Sequence, residues 1–221
     1  MPDRHPPTAY RMTPHQCVLP AGTELWRCHN SRRPAEGFNP VAADSHFGGN
    51  RFDGTPEDSY PFLYAGAEPA TALAEVLLRS LAFDTDSGLR LVPRAWVAGR
   101  SLTLLRTRVE LRLIQLLSEE DLAAVCQDSW LLEAEGAGYA QTRRWASELR
   151  TQVPEAQGLV WQSRRHRPRH AVVLFGDRCG EDPLKPDPGR GAIDLGSPTG
   201  ITETNRLLAP LRAAVVPGEP G

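Results

Sequence analysis

The sequence predicts a single α+β domain, and three observations predict it. Strand and helix signals mix along residues 23–176 without a regular βαβ rhythm, and no G-x-G-x-x-G turn follows a strand. Two short apolar runs, Gly158–Trp161 and Ala171–Phe175, read as buried strands. With 221 residues, 40% hydrophobic and 24% charged, the chain is globular in composition and long enough for one sizeable core.

The elements follow in order. Thr23–Cys28 alternates like a short strand. A polar, glycine-bearing stretch from His29 to Asp58 follows, of a length more often functional than accidental. Phe62–Ala65 is a short strand, and Pro69 then opens an Ala- and Leu-rich helix running to Ala82. Leu91–Val97 and Leu102–Leu105 read as strands, while Val109–Leu117 alternates first and then becomes continuously apolar, a pattern open to either element. Ser118-Glu-Glu-Asp121 has the spacing of a capping box, and Gly138–Gln152 is an amphipathic helix.

Both ends are expected to be flexible. Residues 1–22 are Pro-rich and polar and read as an N-terminal arm. From Gly176 the chain holds seven prolines and eight glycines in its last 46 residues, so 177–221 reads as a Pro/Gly-rich tail. One short helix is expected there, from Glu203 to Val216, interrupted at Pro210.

Bulk chemistry narrows the function classes. Lys+Arg 25 against Asp+Glu 27 gives a formal charge of -2, so no global field draws the chain to nucleic acid or to an anionic membrane. Cys17, Cys28, Cys126 and Cys179 are scattered without a C-x-x-C pair and read as reduced thiols. The first residues carry no apolar run and no stretch is long enough to span a membrane, which points to the cytoplasm. His166 and His170 flank Pro168 without a third ligand, so no metal site is expected.

Several residues stand out chemically. Glu75 lies among Ala72, Leu73, Ala74, Val76, Leu77 and Leu78, and a buried carboxylate must be paired or hydrogen-bonded. It is either a structural ion-pair partner, the commoner case, or a catalytic carboxylate. Arg27 ends a strand beside Trp26 and, by default, faces solvent. In Phe47-Gly-Gly-Asn-Arg-Phe-Asp-Gly54 the glycines permit close approach to a ligand or positive φ. There Arg51 offers a guanidinium, and Phe47 and Phe52 offer flat surfaces. Tyr64 is a core aromatic or a stacking surface, and Ser163 a turn serine or a ligand donor. The basic stretch Arg164–His170 reads as a solvated turn.

Taken together, these segments resemble a known family. Glu24-Leu-Trp-Arg-Cys-His29, Phe47-Gly-Gly-Asn-Arg-Phe-Asp53, Phe62-Leu-Tyr-Ala65, Ala72-Leu-Ala-Glu-Val76 and Gly158-Leu-Val-Trp-Gln-Ser-Arg164 fall in the order of RES domains, named for an arginine, a glutamate and a serine. Tyr139–Ala146 and Ala171–Phe175 are similar to the family as well. Many members carry Arg-Trp-Asn where this chain has Arg51-Phe52-Asp53.

The resemblance implies a fold like that of diphtheria-type ADP-ribosyltransferases. It also implies a toxin that degrades NAD⁺ as phosphorylase or hydrolase, held in check by a protein antitoxin over its active site. Under it Arg27 and Arg51 bind the NAD⁺ phosphates, Tyr64 and Phe52 pack on the substrate, and Glu75 stabilises the ribosyl cation. Ser163 hydrogen-bonds the ligand. NAD⁺ is then a substrate and inorganic phosphate a co-substrate, with no cofactor. Transfer to water, transfer to protein, and a noncatalytic NAD⁺- or partner-binding module remain open alternatives. Homo-oligomers are compatible with the sequence, and no membrane or direct nucleic-acid partner is expected.

Overall fold

The computed structural model describes residues 11–216. In chain order the elements are β1 (Gln16–Leu19), β2 (Glu24–Asn30), β3 (Phe62–Gly66), α1 (Pro69–Leu77), β4 (Arg90–Val92), α2 (Arg94–Val97), β5 (Arg100–Thr107) and β6 (Leu111–Leu116). There follow α3 (Glu119–Ala124), α4 (Trp130–Glu133), α5 (Tyr139–Gln152), β7 (Gly158–Gln162), β8 (His170–Phe175), β9 (Leu184–Pro186), β10 (Ile193–Asp194), α6 (Pro198–Leu208) and β11 (Ala213–Val215). The α+β expectation holds. One sheet runs β1-β6-β7-β8-β3-β2-β5, with β9 and β10 both on the outer edge of β5. Every pairing in it is antiparallel except β6 with β7.

Alternation sorts the core. On β7 and β8, Leu159, Trp161, Ala171, Val173 and Phe175 face α3, α4 and α5, while Val160, Val172 and Leu174 face the opposite side. At the other end of the sheet, Trp26, Leu102 and Leu104 pack under Leu73 and Leu77 of α1 and Leu208 of α6. Trp26 is in register with Gly66, so both helical groups cover the same face. Gly66 is required for that close docking: a Cβ there would lie 2.7 Å from the Ala72 nitrogen at the start of α1.

Between β2 and β3 the sheet nearly parts. They share one register pair, Trp26 with Gly66, whereas β2 pairs with β5 at seven positions and β3 with β8 at five. The cleft so formed, floored by α1, holds the cavity described below.

Local expectations mostly hold. The capping box forms: the Ser118 hydroxyl accepts from the Asp121 N–H, and the Asp121 carboxylate accepts from the Ser118 N–H. The open segment 109–117 resolves as β6. Leu91–Val97 is corrected, since Pro93 cannot continue a ladder and instead starts α2. The first helix stops at Leu77 rather than at Ala82, and Ser80 takes a left-handed φ of 57°.

The assignment of 1–22 as an arm and 177–221 as a flexible tail is corrected for the described residues. Pro14 and Pro20 bracket β1 without interrupting it, so Gln16–Leu19 pairs with β6 as an edge strand. Beyond Gly176, Leu184, Leu195, Leu208 and Val215 are each buried to 3% exposure or less. The prolines and glycines separate strands of only two or three residues, each short enough to dock on a sheet already formed. The expected helix lies earlier than read, because Ser197 caps it and Pro198 occupies its first turn. After Pro210 the chain turns at Arg212 into β11, parallel to β4. The rest of the predicted arm and tail, residues 1–10 and 217–221, lies outside the described residues.

Candidate active site

A cavity of about 490 Å³ occupies the β2–β3 cleft. Its wall includes Arg27 from β2, Tyr64 from β3, Glu75 from α1, Arg79 from the turn just after α1, Arg51 from the glycine loop and Tyr139 from the start of α5. The lining holds seven arginines (Arg27, Arg33, Arg51, Arg79, Arg100, Arg164 and Arg165) and one carboxylate, Glu75. Such a cavity selects anions.

Glu75 is half-buried at the cavity wall. The Ser163 hydroxyl donates to its Oε1 across 2.6 Å. Ser163 is wholly buried, lies outside the lining, and accepts from the His166 N–H. Where the sequence reading expects Ser163 to hydrogen-bond the ligand, the serine has no exposed surface here and holds the Glu75 carboxylate from behind. The turn that carries it grips one stripe of α1 three times. Arg169 pairs with Glu68 at 3.0 Å, His166 Nδ1 meets Thr71 Oγ1 at 2.9 Å, and Ser163 meets Glu75.

Arg27 donates twice through Nη1, to the carbonyls of Ala35 and Gly37, fixing the start of the long loop. Burial pulls its pKa down to about 10, with Glu36 opposing and Arg33 adding to the fall, and it remains cationic at neutral pH. The default reading of a solvent-facing edge arginine is thus corrected. Next to it, burial pushes the Cys28 thiol up to about 12, which makes it a neutral wall group.

Arg51 is 7% exposed and has no carboxylate at salt-bridge distance among the described residues. Its Nη2 reaches the Ala134 carbonyl at 3.3 Å, and its Nε has no partner. Burial lowers its pKa, Tyr139 and Glu75 oppose the fall, and Arg79 adds to it.

Phe52 does not face the ligand space. Expected to pack on substrate, it is fully buried in this structure and meets Trp161 edge to face at 5.3 Å. Tyr64 does line the cavity, with its hydroxyl accepting from the Phe52 N–H and donating to Asp53 Oδ1. Asp53 also accepts the Asn50 N–H and Nδ2–H, answering what the carboxylate does in place of the family's commoner asparagine. Burial raises the Asp53 pKa against these hydrogen bonds.

Sequence reasoning missed Arg143. It is 1% exposed and donates from α5 to the carbonyls of Asp44, Phe47, Gly48 and Asn50, setting the whole glycine loop. Gly48 and Gly49 take positive φ of 57° and 67° and supply the turn rather than a ligand surface. The basic turn was also underread. Arg164 and Arg165 line the cavity while pairing with Glu135, and Arg167 pairs with Glu133.

The RES domain family matches residues 24–193 of this chain. The protein belongs to the RES-domain family. The matched span of the RES domain extends through β9 to the first residue of β10, beyond the boundary at 176 read from composition. A chain of the crystal structure of the M. tuberculosis MbcT–MbcA toxin–antitoxin complex has a similar fold. It superposes with a TM-score of 0.56 at 14% identity, covering 86% of this chain and 92% of that one. No curated protein sequence matches. No helix among the described residues is long and apolar enough to cross a membrane.

Proposed function

We propose that this RES-domain protein cleaves the nicotinamide–ribose bond of NAD⁺, with inorganic phosphate as the favoured acceptor, as the toxin of a toxin–antitoxin pair. One observation carries the reading: a cavity rich in arginine contains one lining carboxylate, Glu75, fixed in place by buried Ser163. That combination suits an anionic substrate whose reacting carbon becomes cationic.

Nicotinamide leaves as a neutral ring, so the step asks for little acid catalysis. The oxocarbenium-like transition state asks for a preorganised negative charge near the anomeric carbon, which Glu75 supplies. Arg27, already fixed by two carbonyls, presents its remaining N–H groups to the pyrophosphate. Tyr64, its hydroxyl tied to Asp53, offers its ring to the nicotinamide end.

The toxin assignment draws on the structural neighbour, which was solved as a toxin–antitoxin complex. A protein antitoxin covering the cavity would meet the loop from His29 to Asp58, where Val41 and Phe47 are 60% and 77% exposed. Of the basic stretch beyond Ser163, Arg164, Arg165 and Arg167 already hold Glu133 and Glu135, which makes the loop the stronger contact.

The test is purified protein with NAD⁺, with and without phosphate, resolved by mass spectrometry. Nicotinamide and ADP-ribose phosphorylated at the anomeric carbon are expected. Free ADP-ribose alone at saturating phosphate makes the enzyme a glycohydrolase, and ADP-ribose on protein makes it a transferase. Intact NAD⁺ leaves a noncatalytic binding module.

A further inference from the structure

Arg79 has no role in the reading above, yet it lies in the turn just after α1, four residues beyond Glu75, on the cavity wall. Its Nη1 donates to Asn50 Oδ1 at 2.5 Å, which ties the end of the helix to the glycine loop. Its guanidinium carbon lies 5.9 Å from the centre of the Tyr139 ring. The guanidinium carbon of Arg51 lies 5.7 Å from the same ring. Two guanidinium groups thus converge on one aromatic side chain, and the charge of Arg79 adds to the lowering of the Arg51 pKa that burial causes.

No ion pair among the described residues answers that charge. Neither arginine has a carboxylate at salt-bridge distance among the described residues, and the buried Nε of Arg51 is unpartnered. Arg164 and Arg165, by contrast, share an ion pair with Glu135. A buried cation without a counter-charge is costly unless the site is completed by an anion. Glu75 exerts a felt attraction on Arg51, so this unmet charge lies beside the proposed catalytic carboxylate.

We infer that Arg51 and Arg79 form a subsite for a free tetrahedral oxyanion, the acceptor phosphate, distinct from the grip of Arg27 on the dinucleotide. The inference rests on the NAD⁺ phosphorylase reading and assigns the acceptor-binding residue that reading lacks. Two guanidinium forks can hold three of the four phosphate oxygens and leave the fourth facing the ribose. In the reaction a phosphate oxygen lone pair forms the new C–O bond at the anomeric carbon. The C–N bond breaks with its electron pair going to nicotinamide. HPO₄²⁻ becomes a phosphate monoester carrying one proton, which passes to water.

The experiment has two arms. In the first, inorganic phosphate is titrated into wild-type and R79A protein without NAD⁺, and binding is followed by phosphorus NMR line broadening and by thermal shift. Wild type should bind phosphate, R79A should bind at least tenfold more weakly, and R79K should recover part of the loss. In the second, the ratio of phosphorylated to free ADP-ribose should fall at least tenfold in R79A at fixed phosphate. Equal phosphate binding by wild type and folded R79A overturns the subsite, as does an unchanged product ratio. If wild type binds phosphate through Arg79 but leaves NAD⁺ intact, the subsite stands and the NAD⁺ reading fails.

Discussion

Ser163 and Glu75 are 88 residues apart in the chain and 2.6 Å apart in the fold, with the serine hydroxyl donating to the carboxylate. The glutamate faces the cavity and the serine does not, so substitutions at the two positions should separate chemistry from positioning.

Glu75→Gln keeps the shape and the hydrogen bond to Ser163 but removes the charge. Turnover of NAD⁺ should drop about 10²–10³-fold with the melting temperature little changed. Near-normal turnover in a folded variant would remove Glu75 from the transition state.

Ser163→Ala deletes one hydrogen bond to a charged group, worth roughly 1.5–3 kcal/mol. Because Ser163 has no exposed surface, the loss should appear in kcat, about 10-fold or more, and not in the KM for NAD⁺. A rise in KM at constant kcat would return Ser163 to ligand binding.

Arg143→Leu strips four carbonyls of the 44–50 segment of their donor at a cost of about 3 kcal/mol. Limited proteolysis should then cut within that loop, and the KM for NAD⁺ should rise as Arg51 loses its seat. An unchanged digestion pattern would mean that the loop holds itself.

Deletion of residues 181–221 should yield an unfolded or aggregated product, since it removes Leu184, Leu195, Leu208 and Val215 from the core. Leu208→Ala alone should lower stability by about 2–5 kcal/mol in a denaturant titration. A soluble truncation with native circular dichroism would show that the first 180 residues suffice.

Asp121 gives a pH dependence with a definite sign. Burial opposes its charge, but hydrogen bonds from His15 and from the Leu117 and Ser118 N–H groups win and hold its pKa below the usual value. Its contribution to stability is therefore complete above about pH 4, the ordinary carboxylate range, and is lost as pH falls through the lower folded value. Melting curves of wild type and Asp121→Asn should converge below that range; parallel curves would contradict the assignment.

The sequence revealed the central strands and helices because their apolar periodicity is dense, as in Ala171–Phe175 and Tyr139–Gln152. It revealed Arg27, Arg51, Tyr64 and Glu75 through motif order, and all four line the cavity. What it hid has a common cause. Leu184, Ile193 and Leu195 are isolated large apolar residues among prolines and glycines, and their burial depends on a sheet built elsewhere in the chain. Arg143 looked like the polar face of an amphipathic helix, and only the tertiary position of the glycine loop turns it inward. Ser163 and Phe52 lie behind the cavity lining, and composition cannot tell a residue that faces a cavity from one that supports its neighbour.

The near-parting of β2 from β3 has a consequence for engineering. Continuing the ladder past Trp26 and Gly66 would add inter-strand hydrogen bonds, and by that measure would give a hardier protein. It would also close the space that Arg27 and Glu75 share. Selection for thermal endurance alone should therefore drift toward variants that zip this seam and fall silent, while any molecule lodged in the seam should raise the melting point by an amount that grows with the logarithm of its concentration above its Kd.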